Sequence, residues 1–275
     1  MRASRWPDPG AVVLSIIICS IDRAKYAAVT ANYAAALAGH PYEIIGIHDA
    51  RSLAEAYNRG SRQARGDIIA FSHDDVEIVS PDLAGAIGRA TAVLDVAGIV
   101  GTSKVISAFW PDAGHPFLHG WITQPADDGK HFYVGVFGVD GPLTQHLQGL
   151  DGMFFVARRH VVESAPFDAA TFDGFDGYDI DFSFAAHLAG FNVGTTAEIA
   201  LIHASGGNFG EAWQRYAQRF EDKYHDRLPA APPAPNWSFS RRLVDSREAI
   251  VREFPIETLT AITQRLRAAL TPADT

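Results

Sequence analysis

The stretch "FSHDDVEIVS", residues 71–80, sets a serine and a histidine before two adjacent carboxylates, Asp74 and Asp75, at the end of the apolar run "GDIIAFS". Like charges side by side raise one another's pKa and stay ionised most easily beside a cation. Oxygen donors of this kind suit a hard divalent ion, Mg²⁺ or Mn²⁺. The plain alternative is a polar turn, since Asp is frequent where strands stop and Ser80-Pro81-Asp82 downstream resembles a helix start. What else reaches the same place decides between them.

Three Ile- and Val-rich runs open the chain: "VVLSIIICS" (12–20), "YEIIGIHD" (42–49) and "DIIAFSHDD" (67–75). The segments between them, 26–39 and 52–66, are rich in Ala and closed by Gly, as helices often are. Strand, helix, strand, helix, strand with near-continuous apolar strands predicts an α/β fold with a mostly parallel central sheet and helices on both faces. Ligands bind such sheets outside the carboxyl ends of the strands. Ser20, Asp22, Asp49, Asp74 and Asp75 sit at those ends and are expected to line one crevice. Residues 108–148 turn aromatic and turn-rich, which predicts short strands and loops over the cleft. Trp110 and Trp121 there are either a satellite core or a surface on which a sugar stacks.

The chain has 275 residues, enough for one large core. Its 23 basic and 32 acidic residues give a net charge of −9 without long like-charge blocks, which argues against nucleic acid as a partner. The single cysteine, Cys19, lies in an apolar strand and suits a reducing, cytoplasmic setting. The polar N-terminus does not resemble a secretory signal, and no apolar run approaches the roughly 18 residues that span a bilayer. "PAAPPAP", residues 229–235, reads as a stiff linker between a main domain, 1–228, and a helical appendage, 236–275. In the appendage Leu243, Ile250, Val251, Ile256, Leu259, Ile262 and Leu266 form an apolar stripe at helical spacing. That stripe must be covered, by the main domain or by a second subunit in a homo-oligomer.

Further motifs follow in order: "EIIGIHDA", "GDIIAFSHDDV", "LDGMFFVARR" (150–159), "GYDIDFSFAAHLAGFNVG" (177–194) and "LIH" (201–203), after the opening "SIIICS". Together they resemble an A-type (GT-A) glycosyltransferase of the large inverting family two, in its branch similar to the streptomycin-biosynthesis protein F domain. The resemblance implies a nucleotide-diphosphate sugar donor, a hydroxyl-bearing acceptor and a divalent metal held by Asp74, Asp75 and His203. It also implies Asp179 as the catalytic base, with Asn58 and Arg59 bracing the site. Asp22 and Asp49 are then expected to hold the nucleoside, with Ser20 beside them. Gly152 would allow close backbone approach to the donor, and Asp151, Tyr178 and Trp121 would face the acceptor. Two positions depart from the family pattern: Ser72 stands where an acid is common, and Tyr178 replaces a Glu. Asp179 and Asp181 lie about 200° apart on a helix, so only one can face the substrate.

Two other functions share parts of this pattern. A metal-dependent nucleotidyltransferase also combines a nucleotide-binding α/β half with acidic ligands, but "CSIDRAKY" has no glycine-rich phosphate loop. A catalytically silent nucleotide-sugar-binding module would keep the ligand residues without turnover.

Overall fold

The computed structural model describes residues 14–229 and 238–270. The chain begins as β1 (Leu14–Cys19), α1 (Arg23–Ala36), β2 (Tyr42–Ile47), α2 (Leu53–Gln63) and β3 (Ile68–Ser72). Next come β4 (Val76–Ile78), α3 (Leu83–Thr91), β5 (Val96–Gly98) and β6 (Val100–Thr102). The aromatic middle forms β7 (Leu118–Pro125), β8 (Phe132–Gly138), β9 (Leu143–Thr144) and β10 (Gly149–Leu150). β11 (Phe154–Arg158), α4 (Arg159–Ser164), α5 (Tyr178–Leu188), β12 (Val193–Thr196), β13 (Leu201–His203) and α6 (Glu211–Lys223) follow. β14 (Ser240–Val244), α7 (Arg247–Glu253) and α8 (Ile256–Leu270) end the described chain.

The central sheet has the order β2-β1-β3-β11-β5-β12-β9. β1 runs parallel to β2 and β3, and β12 parallel to β5. β11 is reversed between β3 and β5, and β9 is reversed beside β12. The expected α/β architecture is present, with β11 as the strand that periodicity alone did not orient. Alternate residues of β1 and β3 enter different layers, as strand geometry requires. Ile17, Ile69 and Phe71 pack in one cluster with Phe155, Phe172 and Phe182, while Ile16, Ile18 and Ala70 pack in another with Tyr33, Leu83 and Ile87. Both faces are therefore apolar, which explains why these runs read as continuous rather than alternating.

A second sheet is built around β7, with β6 and β13 on one edge and β8 on the other; β10 pairs β6 and β4 pairs β13. It takes in β14, antiparallel to β8. The C-terminal segment thus opens on a strand, which its helical spacing did not announce. Ile250, Leu259 and Ile262 are buried with Val134, Val136 and Trp121 of the second sheet. The main domain thus covers Ile250, Leu259 and Ile262 of the stripe, while Leu243 stays 53% exposed. The linker assigned to 229–235 falls almost wholly outside the described residues. Among the described residues, no helix is long and apolar enough to cross a membrane.

Candidate active site

Three chain segments meet at the carboxyl end of β3. The turn His73-Asp74-Asp75 leads from β3 into β4, and β13 lies antiparallel to β4 with His203 opposite Val76. The Ala204 N–H donates to the Asp75 carbonyl at 2.9 Å, which carries the His203 ring over the turn. Because β11 is reversed, its first residue, Phe154, stands opposite Ser72 at the last residue of β3. The His73 N–H donates to the Met153 carbonyl at 3.0 Å, so Asp151 and Gly152 border the same turn.

His73 Nδ1 lies 3.3 Å from His203 Nε2 and 3.8 Å from Asp75 Oδ1. His203 Nε2 lies 3.3 Å from that carboxylate oxygen and 3.0 Å from Ser205 Oγ. Burial, and then the neighbouring His203, hold His73 below its ordinary pKa, so its ring is neutral at pH 7. Burial pushes Asp75 up, but the His203 hydrogen bond and the adjacent imidazoles outweigh it and hold the carboxyl at about 2. A neutral imidazole and an ionised carboxylate are the states in which these groups ligate a divalent cation. One donor atom from each of His73, Asp75 and His203 lies within 4.8 Å of the others, so the three fit such an ion.

This set differs from the expected Asp74, Asp75 and His203. Asp74 Oδ2 accepts the Ser20 hydroxyl at 2.6 Å, and Asp74 lines a cleft with Lys25 and Asn32 of α1. His73 is the third side chain grouped with Asp75 and His203. The signal was present in "SHDD", a histidine being a ligand type, but only the pairing of β4 with β13 shows that it faces His203.

Asp179 stands in the first turn of α5, entered through Gly177 at φ 75°, a left-handed conformation that favours glycine. Asp151, Gly152, Tyr178 and Asp179 line one pocket together with His73 and His203. Burial, and then the charge of Asp151, push the Asp179 carboxyl up to about 7. Asp151 is fixed by two donors, Trp110 Nε1 and the Met153 N–H, each at 3.1 Å. A Cβ on Gly152 would come within 2.3 Å of the Tyr178 hydroxyl oxygen and 2.8 Å of Asp179 Oδ2, so glycine is required there by packing. Asp181, on the far side of α5, accepts Lys223 Nζ at 2.6 Å and the Tyr224 hydroxyl at 2.8 Å.

The remaining expected residues are more dispersed. Asp22 caps α1, accepting the Ala24 and Lys25 N–H groups at 2.8 and 3.1 Å, and is otherwise exposed. Asp49 is an exposed partner of Arg59 at 2.8 Å. Each is satisfied locally, so four carboxylates do not share one cation. Asn58 braces a loop instead of facing the crevice: it donates to the Phe167 carbonyl at 2.7 Å and accepts its N–H at 3.1 Å. Tyr178 is buried beneath the pocket with its hydroxyl 2.7 Å from His73 Nε2, so it does not present that hydroxyl to an acceptor. Trp121 is 3% exposed, donates to the Ala197 carbonyl and stacks on Phe254. It belongs to the core under the C-terminal segment, and the acceptor role expected of it is withdrawn. Phe175, Phe209 and Trp213 also border the pocket, and no sequence signal marked them.

Residues 15–224 match the family model described as "Glycosyltransferase like family". A comparison with curated proteins gives no match. Among solved structures, the mannosyltransferase PcManGT from Pyrobaculum calidifontis, in complex with GDP-Man and Mn²⁺, is similar at 15% identity and a TM-score of 0.47, over 98% of this chain and 78% of that one. GalNAc-T7 with UDP, GalNAc and Mn²⁺ is similar at 10% identity and a TM-score of 0.45, over 95% of this chain and 55% of that one. A197 from STIV is similar at 13% identity and a TM-score of 0.41, over 70% of this chain and 86% of that one.

Proposed function

The chain belongs to the glycosyltransferase-like family, and we propose that it moves a sugar from a nucleotide-diphosphate donor to an acceptor hydroxyl, metal-dependently and with inversion at the anomeric carbon. The ordered motifs support an inverting GT-A enzyme close to the streptomycin-biosynthesis protein F branch, working in the cytoplasm. Residues 1–228 form the catalytic domain in this reading. The observation that carries it is the meeting, at one strand end, of a His-Asp-His set and a carboxylate of raised pKa.

Bound at His73, Asp75 and His203, a divalent cation supplies positive charge where the diphosphate departs. Ser20 and Asp74, held together at the ends of β1 and β3, border the donor. Asp22, Asp49 and Arg59 form the nucleoside rim, with Arg59 paired to Asp49, while Asn58 braces the loop at Phe167. Asp179 takes the proton of the acceptor hydroxyl as its oxygen attacks the anomeric carbon from the face opposite the leaving group. A base whose pKa lies near the working pH combines the right protonation state with a strong pull on the proton. Asp151 helps to keep Asp179 basic, and Trp110 Nε1 holds Asp151 in place.

Calorimetry of UDP and GDP with and without Mn²⁺ tests the metal assignment. Asp75→Ala and His203→Ala are each expected to lose the metal-dependent increment in affinity; an undiminished increment in both removes the assignment. Slow Mn²⁺-dependent release of nucleotide from a donor without acceptor separates a live enzyme from a silent binding module. Thermal-shift screening of nucleotide sugars with Mn²⁺ identifies the donor, because a ligand at about 100 times its Kd stabilises by about 2.7 kcal/mol.

A further inference from the structure

Tyr178 stands where the family pattern has a Glu, and its hydroxyl meets three groups, one of them the Tyr57 hydroxyl. The Tyr178 hydroxyl lies 2.7 Å from His73 Nε2 and 3.3 Å from the Gly152 carbonyl oxygen. The carbonyl can only accept, and the hydroxyl has one proton to give. Directing that proton to Gly152 leaves the Tyr178 oxygen as acceptor for an Nε2–H on His73. The other ring nitrogen, Nδ1, then carries a lone pair, and it is the atom facing His203 Nε2 and Asp75 Oδ1.

Resting on the metal-dependent reading above, we propose that Tyr178 is a positioning residue that holds His73 in the Nε2–H tautomer, so that Nδ1 is free to ligate a divalent cation with Asp75 and His203. A metal-ligating histidine commonly donates its second N–H to a carboxylate or carbonyl, which fixes the tautomer and ring angle. Here a tyrosine does so, handing its own proton on to a backbone carbonyl. The buried site favours this choice over a carboxylate. A Glu at 178 would add a third acid beside Asp151 and Asp179, whose proximity already raises the Asp179 pKa. Gly152 completes the device: the hypothetical Cβ that would clash with the Tyr178 oxygen would also clash with Asp179, so the same glycine seats the tautomer-setting hydroxyl and the base.

Two measurements test this on the full chain. Long-range proton–nitrogen NMR of the metal-free wild type, with His73 assigned through a His73→Gln variant, reads the tautomer directly. Protonated Nε2 is expected, and a predominant Nδ1–H form overturns the proposal. Mn²⁺ titration followed by electron paramagnetic resonance is expected to show about 10- to 100-fold weaker binding in Tyr178→Phe, the usual size of the loss when such an outer partner is removed. His203→Ala is the reference arm. If His203→Ala weakens Mn²⁺ and Tyr178→Phe does not, the role of Tyr178 falls while the metal site stands. If neither variant changes Mn²⁺ affinity, the metal site falls and this proposal with it. Should Tyr178→Phe fail to fold, the wild-type tautomer alone decides the matter.

Discussion

Asp179→Asn is expected to lower the rate of sugar transfer by about 100- to 10,000-fold, the range a positioned general base contributes, while donor affinity stays close to that of the wild type. The amide keeps the shape of the carboxyl and loses only its capacity to accept the proton. The position supports this separation: Asp179 lies in the pocket beside Gly152 and Asp151, whereas Ser20 and Asp74 are held to each other across the ends of β1 and β3. Single-turnover transfer alongside calorimetric donor binding checks it. A loss of donor affinity comparable to the loss in rate would mean that Asp179 holds the donor rather than the acceptor proton.

The pH profile offers a second view of the same group. Asp179 is pushed up to about 7, and only its ionised form accepts a proton, so the rate is expected to climb through that region and then level off. Asp151 contributes to the rise by its charge, second to burial. In Asp151→Asn the acid limb should therefore move to lower pH, because removing a like charge makes Asp179 easier to ionise. A limb that moves upward, or stays in place, would assign the inflection to another group.

How much of this site was legible follows from how each residue is positioned. Asp75 and His203 could be expected near one another because the first follows β3 and the second ends β13, and both apolar runs are plain in the sequence. Asp179 could be separated from Asp181 because helix geometry turns the two apart, and the structure gives Asp181 to Lys223 and Tyr224 instead of the pocket. His73 was passed over because nothing local distinguishes a ligand histidine from a turn histidine. Its place beside His203 comes from β13 pairing with β4 across more than a hundred residues of chain. The reversal of β11 was hidden for a related reason: "FFVAR" is buried on both faces, so its composition is the same whichever way it runs. Trp121 was misplaced because an aromatic in a turn-rich stretch suits a sugar platform and a core equally well, and the deciding partner, Phe254, lies in a segment expected to be separate.

Lys223→Ala is expected to destabilise the protein by about 3 kcal/mol at neutral pH, the low end of the loss when a buried ion pair is broken from one side. Asp181 is 2% exposed, and its carboxylate oxygen receives both Lys223 Nζ and the Tyr224 hydroxyl. The same ammonium reaches Asp168 at 2.8 Å, so one cation serves two acids at the junction of α5 and α6. Truncation leaves Asp181 buried with only the tyrosine as donor, and that remaining donor is why the low end applies. Burial holds the Asp181 carboxyl above its ordinary value even though Lys223 lowers it, so without the ammonium it rises further. The folded variant then keeps a proton that the unfolded chain releases near pH ~3.9, and its stability falls as pH increases from there. The gap to the wild type should accordingly be small near pH ~4 and widen toward neutrality, which urea unfolding at the two conditions measures. Equal midpoints at neutral pH would show that water already neutralises Asp181. A gap that narrows as pH rises would reverse the sign of the argument and place the unpaired charge elsewhere.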